Sequence, residues 1–259
     1  MREKKSTPAS GGLEYSKELI NIKTTTDVQQ RFYQAIRKER ADYAFVWDNN
    51  ADYFFNNGYY DWMASLISDY YTVLEIGTGN GHSTLTLANS NHLVISIDEN
   101  AECLKNTMKK LEDNGVNTQL LQREQLILSN TGYQINYLPI SLKPIEKGVL
   151  LIEGDILNDP NLICWLKENF LFDAIICWLI GTHAFWKFKD SNMTLSITNI
   201  EDYRLTVQNT IFEISDDLLR KGGVLQIVDR SESPKTKFLK KDIIDSFKEQ
   251  ASVTSLVVK

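Results

Sequence analysis

The stretch VLEIGTGNGHST, residues 73–84, constrains the fold more than any other part of the sequence. Apolar residues around a single acid, Glu75, predict a short buried strand, and the glycines at 77, 79 and 81 predict its abrupt end. Glycine allows a positive φ and a close approach of the backbone to a ligand. The spacing therefore predicts a ligand-contacting loop at the end of a buried strand.

Strand-like and helix-like segments alternate after residue 71. The runs TVLEIG, LVISIDE, GVLLIEGDI, FDAIICWLI and KGGVLQIVDR are typical of strands, and helical patterns separate them. Such alternation predicts right-handed crossovers and a doubly wound, mostly parallel sheet in an α/β domain. The C-terminal pieces FLKKDIIDSFKEQ and VTSLVVK predict one more helix and one more strand.

The predicted domain organisation adds three segments to this core. Residues 1–26 are expected to form a flexible tail, and residues 27–71 an N-terminal helical cap that is crowded with aromatic residues. Residues 72–259 form the expected α/β domain. Within it, residues 118–147 break the alternation with two strand-like runs around Asn130-Thr131-Gly132, which predicts a β-hairpin insertion before the third strand.

Composition and charge narrow the classes of function. The chain of 259 residues has a formal net charge of −6, so it lacks an overall attraction for a phosphate backbone, and nucleic acid is a disfavoured partner. The sequence has no apolar run long enough for a membrane span, and no apolar core follows its basic first residues, so we expect neither a membrane segment nor a secretory signal. Three cysteines without CxxC spacing fit a reducing, cytoplasmic location.

The glycine loop does not match two common nucleotide-binding patterns. A dinucleotide fingerprint, G-x-G-x-x-G, would have a third glycine at position 82, where the chain has His82. A phosphate loop needs a lysine, and none lies between Val73 and Ile97. The pattern at residues 75–81, E-x-G-x-G-x-G, instead resembles motif I of the class I, Rossmann-like S-adenosylmethionine-dependent methyltransferases.

Other segments extend this resemblance over residues 73–228. Asp98 ends the strand LVISID, Gly154-Asp155-Ile156 follows the strand VLLIE, and LLRKGGVLQIV is similar to the segment around the family's fifth strand. The resemblance implies S-adenosyl-L-methionine as cofactor, with Asp98 on its ribose and Asp155 on its adenine. Glu75 would orient the loop or reach the methionine ammonium through water. The implied cofactor-binding residues are Glu75, Gly77, Thr78, Gly79, Gly81, Asp98, Glu99, Asp155 and Ile156.

The methyl acceptor is expected beyond the fourth core strand, at FDAIICWLIGTHAFWKF. This segment has no proline, no cysteine after a proline and no acid at its strand end. The resemblance therefore disfavours the subclasses that methylate base amino groups, methylate pyrimidine carbon or use a metal, and no metal is predicted. His183 could be a general base toward a hydroxyl, carboxyl or amine, with Thr182 as its hydrogen-bonding neighbour. An equally good interpretation is that His183 caps a loop or helix.

Several functions stay open at this point. The first is a methyltransferase that acts on an oxygen or nitrogen atom of a small molecule or protein. The second is a non-catalytic module that binds S-adenosylmethionine as a sensor or partner subunit, because no sharp catalytic signature follows the fourth strand. RNA methylation and aminopropyl transfer rank behind these, the latter because residues 177–183 contain no acid for a polyamine. The edge of the hairpin would suit pairing, so a homodimer is one expected assembly.

Overall fold

The computed structural model describes residues 27–258 except for residues 130, 192–194, 196 and 231–232. The predicted tail, residues 1–26, lies outside the described residues. Two helices, α1 (Asp27–Asn56) and α2 (Tyr59–Ser65), precede the sheet. The helical interpretation of this part of the chain is confirmed, and its division from the α/β domain stays a prediction.

Counted over the described residues, eight strands form two sheets. In chain order they are β1 (Thr72–Ile76), β2 (Leu93–Asp98), β3 (Thr118–Leu121), β4 (Glu124–Leu128), β5 (Tyr133–Tyr137), β6 (Val149–Glu153), β7 (Phe172–Trp178) and β8 (Leu219–Val228). Six of them form a parallel sheet in the order β3-β6-β2-β1-β7-β8, and β4 and β5 form an antiparallel pair. The sheet extends from β1 through β2 and β6 on one side and through β7 and β8 on the other, and β3 lies out of chain order at the edge beside β6. The predicted doubly wound α/β fold is confirmed.

Helices flank the strands, and four of them begin at a polar side-chain cap. They are α3 (His82–Asn89), α4 (Ala101–Asp113), α5 (Pro160–Asn169), the 3₁₀ helix (Ala184–Phe188), α6 (Ile200–Leu218) and α7 (Lys237–Ala251). The side chains of Asn100, Asp159, Asn199 and Thr236 accept a backbone hydrogen bond in the first turns of α4 to α7. None of the described helices is long and apolar enough to cross a membrane.

The central strands are buried on both faces. All five residues of β1 and of β6 are buried, and β2 is buried up to Asp98 at its end. Strands covered by helices on both faces are expected to be continuous apolar runs. Glu75 interrupts such a run inside β1, so its burial requires specific partners.

Two predicted elements differ from the structure. The hairpin is confirmed as β4 and β5, but β3, at the start of the predicted insertion 118–147, pairs in parallel with β6 as an edge strand of the main sheet. The predicted C-terminal strand is wrong, because residues 253–258 form no strand. The backbone N–H of Ser255 instead donates to Asp216 of α6 at 2.9 Å, which holds this segment against a helix rather than a sheet edge.

Arg123 fastens the hairpin to the sheet. Its side chain is 1% exposed, and its guanidinium contacts Asp159 at 2.6 Å and donates to the Leu138 carbonyl at 2.7 Å. Glu153, at the end of β6, accepts the backbone N–H groups of Arg123 and Glu124 at 2.6 Å and 2.8 Å. A buried ion pair of this kind leaves an uncompensated charge when one partner is removed.

Replacing Arg123 with leucine should lower the free energy of unfolding by about 3–5 kcal/mol, because Asp159 would stay buried without its cation. Chemical denaturation measures the difference. Asp42→Ala removes an exposed ion pair with Lys38 on α1 and should change the same quantity by less than about 1 kcal/mol. Equal losses in the two variants would contradict an anchoring role for Arg123.

Candidate functional site

The carboxyl ends of β1, β2, β6 and β7 face one cleft. In a doubly wound sheet, ligands bind outside these ends where the strand order reverses, which here is between β1 and β7. Most of the predicted site residues line the cleft, namely Gly77, Thr78, Gly79, Asp98, Glu99, Asp155, Ile156, Thr182 and His183. Glu75 and Gly81 lie behind this lining. The sequence thus predicted a group of residues, up to 106 positions apart, that the fold places around one cleft. Their roles in binding stay predictions.

The glycine loop needs its glycines for conformation and for space. Gly77, Gly79 and Gly81 have φ values of 88°, 53° and 81°, which side-chain-bearing residues rarely adopt. A Cβ on Gly79 would lie 2.5 Å from Nε1 of Trp47, and one on Gly77 would lie 2.8 Å from a methyl carbon of Ile180. The loop is thus shaped for close contact, and Trp47 of α1 makes that contact.

Glu75 fixes the glycine loop between β1 and α3. Its carboxylate is 1% exposed and accepts hydrogen bonds from the hydroxyls of Ser83, Thr84 and Ser96, the last two at 2.6 Å. Burial raises the pKa of Glu75 above its usual range in spite of these three donors. The geometry supports the loop-orienting role implied for Glu75. The partners Ser83 and Thr84 follow Gly81 and His82 in the sequence GHST. Two hydroxyl side chains so close to the loop could have been predicted to bind Glu75.

Asp98 lies at the tip of β2, beside the middle of the loop. Its Oδ2 accepts the backbone N–H of Gly79 at 2.9 Å, and its Oδ1 accepts that of Asn100 at 2.8 Å. Burial raises the pKa of Asp98 to about 7, although both hydrogen bonds favour the ionised form. The charge of this carboxylate therefore changes near neutral pH.

Lys189 joins two of the predicted cofactor-binding acids. Its side chain is 2% exposed, and its ammonium lies 3.0 Å from Oε2 of Glu99 and also contacts Asp155. Burial alone would raise the pKa of Glu99, but the positive charges of Lys189 and Arg40, and that of His183 at pH values where its imidazole is protonated, hold it at about 2. Asp155 thus already binds a cation where the resemblance implies an adenine contact. Sequence reasoning missed Lys189, which is 90 residues from Glu99.

His183 lies buried in the wall of the cleft. Its side chain is 1% exposed, and neither ring nitrogen has a hydrogen-bond partner among the described residues. Burial, with the positive charges of Arg40 and Lys189, lowers its pKa to about 4 against the opposing charge of Glu99. The imidazole is therefore neutral at pH 7. It makes no side-chain cap to the 3₁₀ helix that follows, which counts against the capping interpretation.

Thr182 is not a partner of His183. Its hydroxyl donates to Oε1 of Glu99 at 2.9 Å. The expected hydrogen-bonding neighbour therefore points at the acid that also binds Lys189. This contact holds the loop after β7 against the end of β2, because Glu99 directly follows that strand.

Aromatic residues of the first two helices reach the cleft. Tyr43, Trp47 and Tyr60 contribute to its lining. The side-chain amide of Asn80, in the glycine loop, donates to the backbone carbonyl of Ala44. Helix α1 is thus bound directly to the loop that it covers.

No protein-family model matches the chain, and no curated protein matches it. Solved structures do match, and many of them are S-adenosylmethionine-dependent methyltransferases. One from Agrobacterium tumefaciens is 11% identical, with 76% of this chain and 49% of that chain covered and a TM-score of 0.44. A putative one from Methanococcus maripaludis is 14% identical, with 82% and 72% covered and a TM-score of 0.42.

A third match is the N-methyltransferase NodS from Bradyrhizobium japonicum, in complex with S-adenosyl-L-homocysteine. It is 15% identical, with 67% of this chain and 61% of that chain covered and a TM-score of 0.38. The matched part thus spans less than two thirds of the Agrobacterium and Bradyrhizobium proteins. At these identities and TM-scores, the likeness assigns neither an activity nor a substrate to this chain.

Replacing Lys189 with methionine should lower the free energy of unfolding at neutral pH by about 3–5 kcal/mol, because two carboxylates lose their buried cation. The folded state holds the pKa of Glu99 below its ordinary 4.5. This group therefore stabilises the wild type above about pH 4.5, and that contribution is lost as the pH falls toward about 2.

Chemical denaturation across this pH range measures both effects. We expect the contribution from Glu99 to disappear in Lys189→Met. Lys187→Met is the matched control, since Lys187 is exposed on the 3₁₀ helix that Lys189 directly follows. Wild-type pH dependence in Lys189→Met would show that another group keeps Glu99 ionised.

Proposed function

We propose that the protein is a methyltransferase that uses S-adenosyl-L-methionine to methylate an oxygen or nitrogen atom of a small molecule or protein side chain. One observation carries this proposal. The loop at the end of β1 has three glycines with positive φ, and its middle glycine donates to Asp98 at the tip of the neighbouring strand. A loop whose backbone a ligand can approach closely therefore lies beside a carboxylate in the same cleft.

The side chains of the cleft suit a sulfonium nucleoside. Asp98 has lone pairs beyond those used by Gly79 and Asn100, so it can accept ribose hydroxyls. The loop from Gly77 to Gly81 would lie beside the amino-acid part, and Asp155 with Ile156 beside the base. Acidic groups suit a ligand that carries positive charge at its sulfur and its ammonium group. When bound, S-adenosylmethionine would supply the methyl group on its sulfonium, which an acceptor lone pair can attack directly while S-adenosylhomocysteine leaves.

The protein would contribute alignment and, where required, removal of a proton. His183 presents a neutral imidazole with no partner among the described residues, so it can accept a hydrogen bond or a proton from the acceptor. A pKa of about 4 makes it a weak base at neutral pH. This favours an acceptor that is nucleophilic before it loses a proton, such as a carboxylate or neutral amine, over an alcohol.

A ligand-binding module without turnover is the second candidate. The low pKa of His183 favours it, because an efficient general base has a pKa near the working pH. Such a module would bind the cofactor and transfer nothing. Both candidates therefore predict cofactor binding, but only the methyltransferase predicts transfer of the methyl group.

The acceptor and the setting are part of the proposal. We propose a small-molecule or protein acceptor rather than nucleic acid, because the net charge is −6 and repels a phosphate backbone. We also propose a cytoplasmic location, because the three cysteines lack CxxC spacing. A homodimer paired through the edge of the hairpin is the proposed assembly.

Binding of S-adenosylhomocysteine should strengthen by about tenfold between about pH 6 and pH 8, because an Asp98 with a pKa near 7 becomes ionised in this interval. Isothermal titration calorimetry measures the affinity. Asp98→Asn should bind weakly and without this pH dependence. An affinity that stays constant in the wild type, or is unchanged in the variant, would remove Asp98 from the cofactor site.

Methyl transfer is tested by incubating the protein with methyl-labelled S-adenosylmethionine and a cell extract separated by size. We expect label in the small-molecule or protein fraction, and none with Asp98→Ala. Once an acceptor is identified, His183→Gln should slow turnover without weakening cofactor binding, because glutamine keeps hydrogen bonding and cannot take the proton. Calorimetric binding without any label would favour the non-catalytic module, and label in nuclease-sensitive material would redirect the proposal to RNA.

A further inference from the structure

A second cluster of potential ligand atoms lies where α1 meets the start of α3. Three residues each offer one such atom, and these atoms lie within 4.8 Å of one another. The residues are Asp48, Asp52 and His82. Nε2 of His82 is 3.0 Å from an oxygen of Asp52 and 3.6 Å from one of Asp48. The two acids are one helical turn apart, so they share a face of α1. His82 directly follows the glycine loop.

Lys110 of α4 reaches into this cluster. Its ammonium lies 3.4 Å from Oδ1 of Asp48 and 2.5 Å from Nε2 of His82. A positive charge therefore already lies against two of the three side chains. An ammonium group has three donors and no acceptor, so it demands an acceptor from each neighbour.

Nε2 of His82 cannot satisfy both of its close neighbours. Without a proton, Nε2 accepts from Lys110, but its lone pair then faces the lone pairs of the Asp52 oxygen at 3.0 Å. With a proton, Nε2 donates to Asp52, but its N–H then faces the ammonium of Lys110. Every protonation state of the imidazole leaves one repulsive contact.

A divalent cation in place of the ammonium removes this conflict. An unprotonated Nε2 and two carboxylate oxygens would all present lone pairs to one centre. Three protein ligands of this kind, one imidazole and two carboxylates, suit a first-row divalent ion such as Zn²⁺. The ring of His82 is 7% exposed and lies against the rings of Phe55 and Tyr60, at centroid distances of 5.0 Å and 6.2 Å. Its direction toward the centre is therefore fixed by packing.

We propose that Asp48, Asp52 and His82 form a binding site for a divalent transition-metal ion, with the Lys110 ammonium as the stand-in for that ion. Asp48 and Asp52 are 47% and 55% exposed, so an ion can enter from solvent. His82 also lines the cleft, but the proposal uses none of the carboxylates assigned to the cofactor and does not depend on the proposed methyl transfer.

The site would tie α1 to the glycine loop. Trp47, which lies against Gly79, is the residue before Asp48. A metal ion bound to α1 and to His82 would hold this indole over the cleft. The expected consequence is slower exchange of any ligand that contacts the loop.

Calorimetric titration of the whole protein with ZnCl₂ tests the site, and visible absorption with Co²⁺ reports the coordination. We expect one ion per chain and cobalt bands that Zn²⁺ abolishes. Asp52→Asn should weaken Zn²⁺ binding by at least about tenfold. Removing a group that only supports a metal ligand already costs about that much affinity, and Asp52 would be a ligand itself. Asp52 is exposed, so this variant should fold normally. Asp42→Asn, on the same helix and outside the cluster, is the control with unchanged affinity.

Lys110→Met separates a metal site from a cluster that only stabilises the fold. Removing the competing ammonium should tighten Zn²⁺ binding, whereas loss of a merely structural ion pair would leave it unchanged. Absence of Zn²⁺ binding to the wild type, equal affinity in Asp52→Asn and Asp42→Asn, or no tightening in Lys110→Met would each overturn the proposal.

Discussion

Carboxylates at the carboxyl ends of adjacent strands determine how the rest of this chain is arranged. Three neighbouring strands, β1, β2 and β6, end with acids that are largely withdrawn from solvent: Glu75, Asp98, Glu99, Glu153 and Asp155. An ionised carboxylate in such a place is strongly destabilising unless donors or cations surround it. The elements beyond the sheet supply those groups.

Different elements compensate these acids. Hydroxyls at the start of α3 bind Glu75, the glycine loop binds Asp98, and Lys189, directly after the 3₁₀ helix, binds both Glu99 and Asp155. Backbone N–H groups at the start of β4 bind Glu153. The hairpin and the loop after β7 therefore have a physical reason to stay docked. They also contact one another, through a backbone bridge between Tyr133 and Lys189.

The same interactions explain what could be predicted from the sequence. Strands, helices and the glycine loop follow from neighbouring residues, and the prediction that Asp98 ends a core strand is therefore confirmed. Lys189 and Arg123 could not be identified in this way. A lysine in FWKFKDS and an arginine in LQREQ have the pattern of exposed charges, and only the folded chain brings them to buried acids.

Edges of the sheet were harder to predict than its centre. TQLL forms the edge strand β3, whereas residues 253–258 form no strand, although both segments are short and partly apolar. A central strand is specified by burial on both faces, whereas an edge strand has a neighbour on one side only and leaves a weaker signal in the sequence. The C-terminal segment instead contacts Asp216 of α6 through Ser255.

The position of α1 makes ligand affinity depend on more than the ligand's own contacts. Trp47 lies where a side chain on Gly79 would be, and Asn80 donates to the backbone of α1. A ligand that approaches Gly79 from this side therefore binds only in molecules where α1 has shifted. The apparent affinity is then the intrinsic affinity reduced by the fraction of molecules in that arrangement. Contacts that hold α1 down, including those of Arg40 with Glu124 on the hairpin, thus weaken binding without touching the ligand.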